Sequence, residues 1–376
     1  MDETEHLGYT REMNLTATLK LLPDDQQRGY LFQTLERANA ACNWISEQAW
    51  ESKTFNTTRL HHLTYYAVRE QFALGSQITV RCIGKVIAAY KVDKRVKRQF
   101  KKLGAIAYDS HNLTFKRDQR QVVVWTLGGR LTIDFTAGAS QLALLQFQQG
   151  ETDLVYRKGA FYLFTTCDVP EDAPMDVQDF LGVDLGIKHI AVDSDGNIHS
   201  AKHLLNVRHR HRRLRKKLQQ KGTDSARCRL KRLSGKEKRF ARDVNHCISK
   251  QLVQIAKGTQ RGLALEDLQG IRDRVNVPRK RRDELHHWSF HQLRAFVEYK
   301  AKREGVLLVL VDPRNTSRTC TQCGCVDKRN RLTQAKFSCI SCGFVSHADY
   351  VAAVNISRRG AVNHPHVGSV LGHHPT

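Results

Sequence analysis

In "CTQCGCVDKRNRLTQAKFSCISCG", residues 320–343, two Cys-x-x-Cys pairs stand 15 residues apart. A segment this short cannot bury a core of its own. Four thiolates around one ion can hold it, and this is the ligand spacing of a structural zinc site. Cys320, Cys323, Cys339 and Cys342 are the expected ligands, with Gly324 and Gly343 permitting the two knuckle turns. Four thiolates close a tetrahedron, so one structural Zn²⁺ per chain is expected, with no open position for catalysis. Cys325 is spare. The chain has ten cysteines; Cys42, Cys82 and Cys167 lie among apolar neighbours. That pattern points to a reducing compartment and one metal site rather than a disulfide framework.

Carboxylates in strands are the second constraint. "FLGVDLGIKHIAVDSDG", residues 180–196, reads as a strand, a tight turn and a second strand. Alternation puts Leu181, Val183 and Leu185 on one face and Gly182, Asp184 and Gly186 on the other. Asp184 is therefore expected on a face left bare, where something large and charged can approach. In "GLALEDL", residues 262–268, Ala264 and Glu266 share a face in the same way. In "HADYVAAVNI", residues 347–356, Asp349 stands at the start of a helix. Taken singly, these are a strand-end Asp, a surface Glu and a capping Asp. Together they are expected to converge at one sheet edge, where they repel unless divalent cations hold them. Two Mg²⁺ ions there would activate a water and stabilise the leaving oxygen of a phosphodiester. Asp193, Asp195 and Asp267 read as turn or solvent-facing residues.

Lys and Arg number 61 against 37 Asp and Glu, a formal net charge of +24 in 376 residues. Such a chain calls for a polyanionic partner, and nucleic acid is the leading one. It has no run of eighteen apolar residues, so no membrane span is expected. "MDETEHLGYT" is acidic and polar, unlike a signal peptide.

Residues 13–22 alternate as a strand. A helix opens at Pro23-Asp24 with Leu31, Leu35, Ala38 and Cys42 on one face. Further helices are expected within 56–103, one with Ile78, Cys82, Val86 and Tyr90 on one side and a basic far end. Strands return at "NLTFKRD", "QVVVWTLGGRLTIDF" and "ETDLVYRKGAFYLFTTCDV", with turns at Gly128-Gly129 and Lys158-Gly159. The first 175 residues thus read as a small antiparallel β-barrel with a helical insertion at about residues 24–105. "PEDAPMDVQD" reads as a polar linker. Beyond it come three strands, a long basic stretch ending in a helix with Val244, Ile248, Leu252 and Ile255 inside, a strand, a helix around "WSFHQLRAFVEYKAKREG", and the strand "VLLVLVD". That is the element order of an RNase H-like fold. The expected fold class is α/β plus all-β.

"GVDLGIKHIAV", "LALEDLQGIR", "VDPRNTSRTCTQCG", "FSCISCG" and "ADYVAAVNI" resemble, in this order, the TnpB family of transposon-associated RNA-guided DNA endonucleases, itself similar to type V CRISPR effectors. The resemblance spans most of residues 180–357; the N-terminal half matches more loosely. It implies a wedge-like barrel with a helical recognition insertion (1–175), a RuvC-like nuclease domain (176–319 and 346–360) interrupted by a zinc ribbon (320–345), and a disordered tail (361–376). It places Asp184, Glu266 and Asp349 in the three catalytic positions. It further implies a guide RNA, double-stranded target DNA cut beside a short adjacent motif, a monomer carrying one RNA, and a cytoplasmic, nucleoid-associated bacterial protein. Two positions depart from the family pattern. Val351 stands where Asn is usual, and His347 where an acidic residue is frequent.

Arg208, Arg210, Arg212, Arg213, Arg215, Lys216 and Lys217 are expected to track guide-RNA or heteroduplex phosphates. "VPRKRRDELHHW" is read as a mobile loop over the active site. Arg318 is a candidate for the scissile phosphate. Gln77, Arg81 and Lys85, on a helix face expected to point away from the core, are candidates for reading the target-adjacent motif. Two rival readings are a nuclease-inactive RNA-guided repressor and a transposase acting in strand transfer. Three intact carboxylates speak against the first. The lack of a His-hydrophobe-His pair with a nearby Tyr speaks against a single-strand version of the second.

Overall fold

The computed structural model describes residues 12–268 and 290–363. The chain divides after Pro170 into two compact units.

In the first unit, seven strands form one antiparallel sheet: β1 (Glu12–Leu21), β2 (Ile106–Tyr108), β3 (Leu113–Lys116), β4 (Gln121–Thr126), β5 (Gly129–Thr136), β6 (Gln148–Arg157) and β7 (Ala160–Pro170), in the order β2-β6-β7-β1-β5-β4-β3. The edge strands β2 and β3 are close in sequence, and Tyr108 Oη of β2 donates to Trp125 O of β4 at 3.0 Å, so the sheet nearly closes. Between β1 and β2 run α1 (Asp25–Glu51), α2 (Thr57–Phe72) and α3 (Ser76–Val92). Asp24 starts α1 through a reciprocal cap with Gln27 at 2.8 and 3.2 Å. Leu31, Leu35, Ala38, Cys42, Ile45 and Ala49 recur every three or four residues on α1 and are all fully buried. Ile78, Cys82, Val86 and Tyr90 of α3 face the same core. α3 stops at Asp93, so the basic residues after it are not helical. A short helix, α4 (Ala139–Leu145), lies in a stretch that the sequence pattern leaves unassigned.

The face bearing Arg81 and Lys85 is not turned from the core. Arg81 pairs with Asp109 at 2.9 Å and with Glu151. Lys85 donates to Asn39 Oδ1 and Ala105 O, both at 2.7 Å. Internal acceptors claim both cations, and Gln77 is half-buried beside them. This corrects the expectation of an outward reading face.

In the second unit, β8 (Phe180–Asp184), β9 (His189–Asp193), β10 (Ile198–Ser200), β11 (Gly262–Glu266) and β12 (Leu308–Val311) form a sheet in the order β10-β9-β8-β11-β12. β10, β9 and β8 are antiparallel neighbours; β8, β11 and β12 run parallel. Four helices follow the basic run and the later apolar pattern: α5 (Lys202–Lys221), α6 (Asp224–Leu233), α7 (Lys236–Gly258) and α8 (Phe290–Arg303). Ile248, Leu252 and Val253 of α7 and Leu293 and Val297 of α8 pack on Leu181, Val183, Leu263 and Leu265. The opposite face carries Phe180 and Ala264 and is covered by α9 (Ala348–Asn363), which contributes Ile356.

Two further sequence expectations change. Gly182 does not leave room for a charged ligand: a β-carbon there would collide with the backbone of Ala353 and Ser357 in α9. The glycine admits a helix. The stretch read as a linker is stitched to the second unit, with Asp172 N–H donating to Arg303 O, Met175 N–H to Gly305 O, and Lys257 paired to Asp172. The segment 277–288 and the chain beyond Asn363 lie outside the described residues. No helix among the described residues is long and apolar enough to cross a membrane.

Candidate metal centre

Asp184 and Glu266 end neighbouring parallel strands. β8 and β11 pair Gly182 with Ala264 and Val183 with Leu265, so one more step sets Asp184 beside Glu266. Both point to the face covered by α9, whose first turn carries Asp349. Burial pushes the Asp184 carboxyl well above the usual range, and the charges of Glu266 and Asp349 add to the effect. Glu266 is 8% exposed, and burial raises its carboxyl too. Thr316 opposes this by donating from Oγ1 to Glu266 Oε1 at 2.6 Å.

The segment holding Thr316 is tied down from α9. Asn355 Nδ2 donates to Thr316 O and Thr319 O at 2.8 Å. Arg358 reaches Thr321 O, and Arg359 reaches Asp312 O and Arg314 O, each at 2.7 Å. Thus "VDPRNTSRTCTQCG" couples the carboxylate cluster to the first cysteine knuckle.

Arg331, from the loop between the knuckles, lies 3.5 Å from Asp349 Oδ1. Its charge also acts on Asp184 and Glu266, favouring their ionised forms. His189 Nδ1 meets Asp349 Oδ2 at 2.9 Å. Arg331, His189, Thr316 and Asn355 escape a reading by motif. Each acts through a partner remote in sequence, and only His189, five residues after Asp184, gives a local hint.

The four cysteines come together as spaced. Their sulfurs lie within 4.8 Å of one another. Cys320 and Cys342 are 3.7 Å apart, and Cys323 and Cys339 are 3.5 Å apart. Zinc–thiolate bonds of about 2.3 Å arranged tetrahedrally give edges of about 3.8 Å, so the donor set fits Zn²⁺. The two knuckles repeat one geometry. Gly324 N–H donates to Cys320 O and Gly343 N–H to Cys339 O, with both glycines at φ +74°. Backbone N–H groups of Cys342 and Ser341 are directed at Cys339 and draw its thiol down to about 6, while Cys342 in the same four-sulfur cluster is pushed up to about 12, so Cys339 is the thiol that ionises more readily. β13 (Lys336–Ser338) and β14 (Val345–His347) pair on either side of the second knuckle, and β14 leads into α9. Val351 is fully buried against Cys320, Phe337 and Cys339, so this position packs the ribbon onto the helix.

The remaining expected residues spread more widely. On α5, Arg210, Arg212, Arg213, Arg215, Lys216 and Lys217 are exposed, while Leu204, Val207 and Leu218 face inward. Arg208 turns in to Glu237 at 3.4 Å. Arg318 is half-buried before the first knuckle. Asp193 is fully buried and caps the β9–β10 turn by accepting from Asp195 N–H and Asn197 N–H. Asp195 pairs with Arg261, and Asp267 with Arg294.

Residues 164–269 match the OrfB_IS605 family, described as a probable transposase. Residues 290–356 match the TNB domain of Cas12f1-like proteins. A TnpB-like protein of Methanocaldococcus jannaschii is 33% identical over 198 residues, covering 50% of this chain and 70% of that protein. The CRISPR-associated endodeoxyribonuclease Cas12f1 of Sulfoacidibacillus thermotolerans is 28% identical over 233 residues, which span 54% of its length. Among solved structures, Cas12f1 in a complex with sgRNA and target DNA superposes with a TM-score of 0.62 at 15% identity, covering 92% of this chain and 99% of that one. CasPhi-2 bound to crRNA gives 0.59 at 10% identity, covering 94% and 99%. Strand-end carboxylates, a four-cysteine ribbon and a relative one-third identical over most of its own length lead to one conclusion: this chain belongs to the TnpB-like family.

Proposed function

We propose that the chain is the protein component of an RNA-guided DNA endonuclease, and that Asp184, Glu266 and Asp349 form its cleavage site on an RNase H-like, RuvC-like sheet. The observation that carries this reading is the pairing of a half-buried and a buried carboxylate at adjacent parallel strand ends, both biased against ionisation by desolvation. Such a pair gains most from a cation, and an all-oxygen donor set suits Mg²⁺. Divalent ions held there would lower the pKa of an attacking water and neutralise the leaving oxygen of a phosphodiester. Asp184 is the shared central ligand. Thr316 favours the ionised form of Glu266 against the effect of burial. Arg331 faces the same space and is positioned to meet a phosphate.

The relatives support the wider assignment: one is named a CRISPR-associated endodeoxyribonuclease, Cas12f1, and a Cas12f1 of similar fold was solved in a complex with sgRNA and target DNA. In this reading one guide RNA and a double-stranded target next to a short adjacent motif are the partners. The first unit serves as wedge and recognition module. The exposed α5 cations lie along the nucleic acid, Arg318 is a further phosphate contact, and one structural zinc holds the ribbon. The protein acts as a monomer in the bacterial cytoplasm.

The test is cleavage by the purified protein–RNA complex of a plasmid library carrying a guide match and randomised flanks. Cutting is expected in Mg²⁺ and not in EDTA, next to one enriched flank. Asp184→Ala, Glu266→Ala and Asp349→Ala should each lose orders of magnitude in rate and should not add, while target binding persists. A complex that binds its target but never cuts would favour the repressor reading instead.

A further inference from the structure

We propose that His189, His347 and Asp349 form a second cation position that prefers a transition-series divalent ion over Mg²⁺, with Mn²⁺, the weakest imidazole binder of that series, as a stringent paramagnetic probe. The inference rests on the reading of Asp349 as a metal ligand and extends it to a neighbouring donor set.

Three elements bring these residues together: the start of β9, the end of β14 and the first turn of α9. One donor atom from each lies within 4.8 Å of the others. The two imidazole rings stand 5.4 Å apart, centre to centre. The carboxylate is divided between two surroundings. Oδ1 faces Arg331, and Oδ2 faces His189. The second oxygen is therefore presented to the histidine pair rather than to the cation from the ribbon.

The contacts that now hold the ring nitrogens are replaceable. His189 Nδ1 and Asp349 Oδ2 are in hydrogen-bond contact at 2.9 Å, and an ion between them replaces that contact with two ligand bonds. The Asp349 N–H lies 3.3 Å from His347 Nδ1, a long hydrogen bond. All three side chains are partly exposed, so an ion has access.

Donor chemistry sets the preference. Imidazole nitrogen binds transition-series ions well, whereas Mg²⁺ favours oxygen donors and holds its waters. Two imidazoles and one carboxylate therefore discriminate against Mg²⁺, while Asp184 and Glu266 beside them offer oxygen alone. A protein built this way can hold a second, chemically different ion beside its Mg²⁺ position.

The probe is Mn²⁺, added to full-length protein whose cysteine knuckles are loaded with zinc, in a large excess of Mg²⁺. Electron paramagnetic resonance reads both bound Mn²⁺ and its coupling to ¹⁴N. One Mn²⁺ with nitrogen coupling is expected to persist in the Mg²⁺ excess. His189→Gln and His347→Asn keep hydrogen-bonding capacity but remove the ring ligands. Each should weaken Mn²⁺ binding about tenfold or more and diminish the nitrogen coupling. Zinc content and melting temperature near wild type certify that these variants fold. Asp184→Ala should keep the nitrogen-coupled signal, so failure of the cleavage-site reading leaves this result intact. Mn²⁺ bound without nitrogen coupling, its full displacement by Mg²⁺, or coupling that survives both histidine substitutions together would each overturn the proposal.

Discussion

A β-carbon at Gly182 would fall inside the van der Waals shell of the Ala353 carbonyl oxygen and 2.9 Å from Ser357 Cα. Helix α9 therefore lies directly on the β8 backbone, and Ser357 Oγ donates to Phe180 O at 2.7 Å. Gly360 does the same one turn on, where a β-carbon would meet Ala264 Cβ at 2.8 Å. This contact sets the depth of the helix and so the reach of Asp349. Gly182→Ala is expected to destabilise the second unit by about 3 kcal/mol, because backbone cannot yield as a side chain does. Gly84, exposed within α3 with nothing within 4 Å of a β-carbon, is the control. Gly84→Ala should stabilise by about 1 kcal/mol through helix propensity. Chemical denaturation of both variants checks the pair; equal effects would refute the close-packing account.

The cysteine knuckles hold α9 from its other side. Val351 and Ala348 pack against Cys320, Phe337 and Cys339. Cys320→Ser or Cys339→Ser should lower zinc from one per chain toward none. The second unit should melt earlier, since metal binding energy is folding energy. Elemental analysis and calorimetry on the same samples read both. A protein lacking zinc that melts as the wild type does would show that packing alone holds the ribbon.

Lys300 gives a pH signature away from the carboxylates. It is 9% exposed and donates to His246 O and Ser249 Oγ at 2.6 and 2.7 Å. Burial lowers its pKa to about 8, from 10.5 when free. Between these values the unfolded chain binds more protons than the folded one, so stability contributed by Lys300 should rise with pH across that window. It is fully present above the unfolded value and lost as pH falls through the folded one. Lys300→Met should flatten this rise and leave the protein more stable at neutral pH. Denaturation midpoints at several pH values, taken as wild type minus variant, isolate the effect. A difference that does not change with pH would place the Lys300 pKa near its free value.

Legibility followed locality. The alternation in "FLGVD" and "GLALE" exposed the carboxylates, and the cysteine spacing exposed the ribbon, because each signal lies within one short segment. The three- and four-residue recurrence in α1 and α3 marked their buried faces. What could not be read depended on distant partners. Arg81 and Lys85 look outward by helical spacing until Asp109, Asn39 and Ala105 come to meet them. Gly182 looks like an opening until α9, remote in sequence, occupies it. Arg208 reads as one more cation in a basic run, yet Glu237 on another helix draws it in.

Thr316 is the most specific of these remote contributions, and Thr316→Val tests it. The substitution keeps shape and removes one donor, the 2.6 Å bond to Glu266 Oε1. That bond favours the ionised carboxylate against a burial that disfavours it. Without it the Glu266 pKa rises further, and a proton competes more strongly with the cation. The Mg²⁺ concentration for half-maximal cleavage should therefore increase about tenfold, as on loss of other groups that support metal ligands. Guide-RNA and target binding should not change, because Thr316 is buried beneath the cluster. The defect should shrink as pH rises, since fewer protons then compete for Glu266. Cleavage rates across a Mg²⁺ series at two pH values, beside a gel shift of the same complex, measure all three. A variant with wild-type Mg²⁺ dependence would mean that Thr316 holds only the loop, through the Asn355 bond to its carbonyl. A uniform loss of rate at saturating Mg²⁺, the same at both pH values, would mean that Glu266 has been displaced rather than protonated.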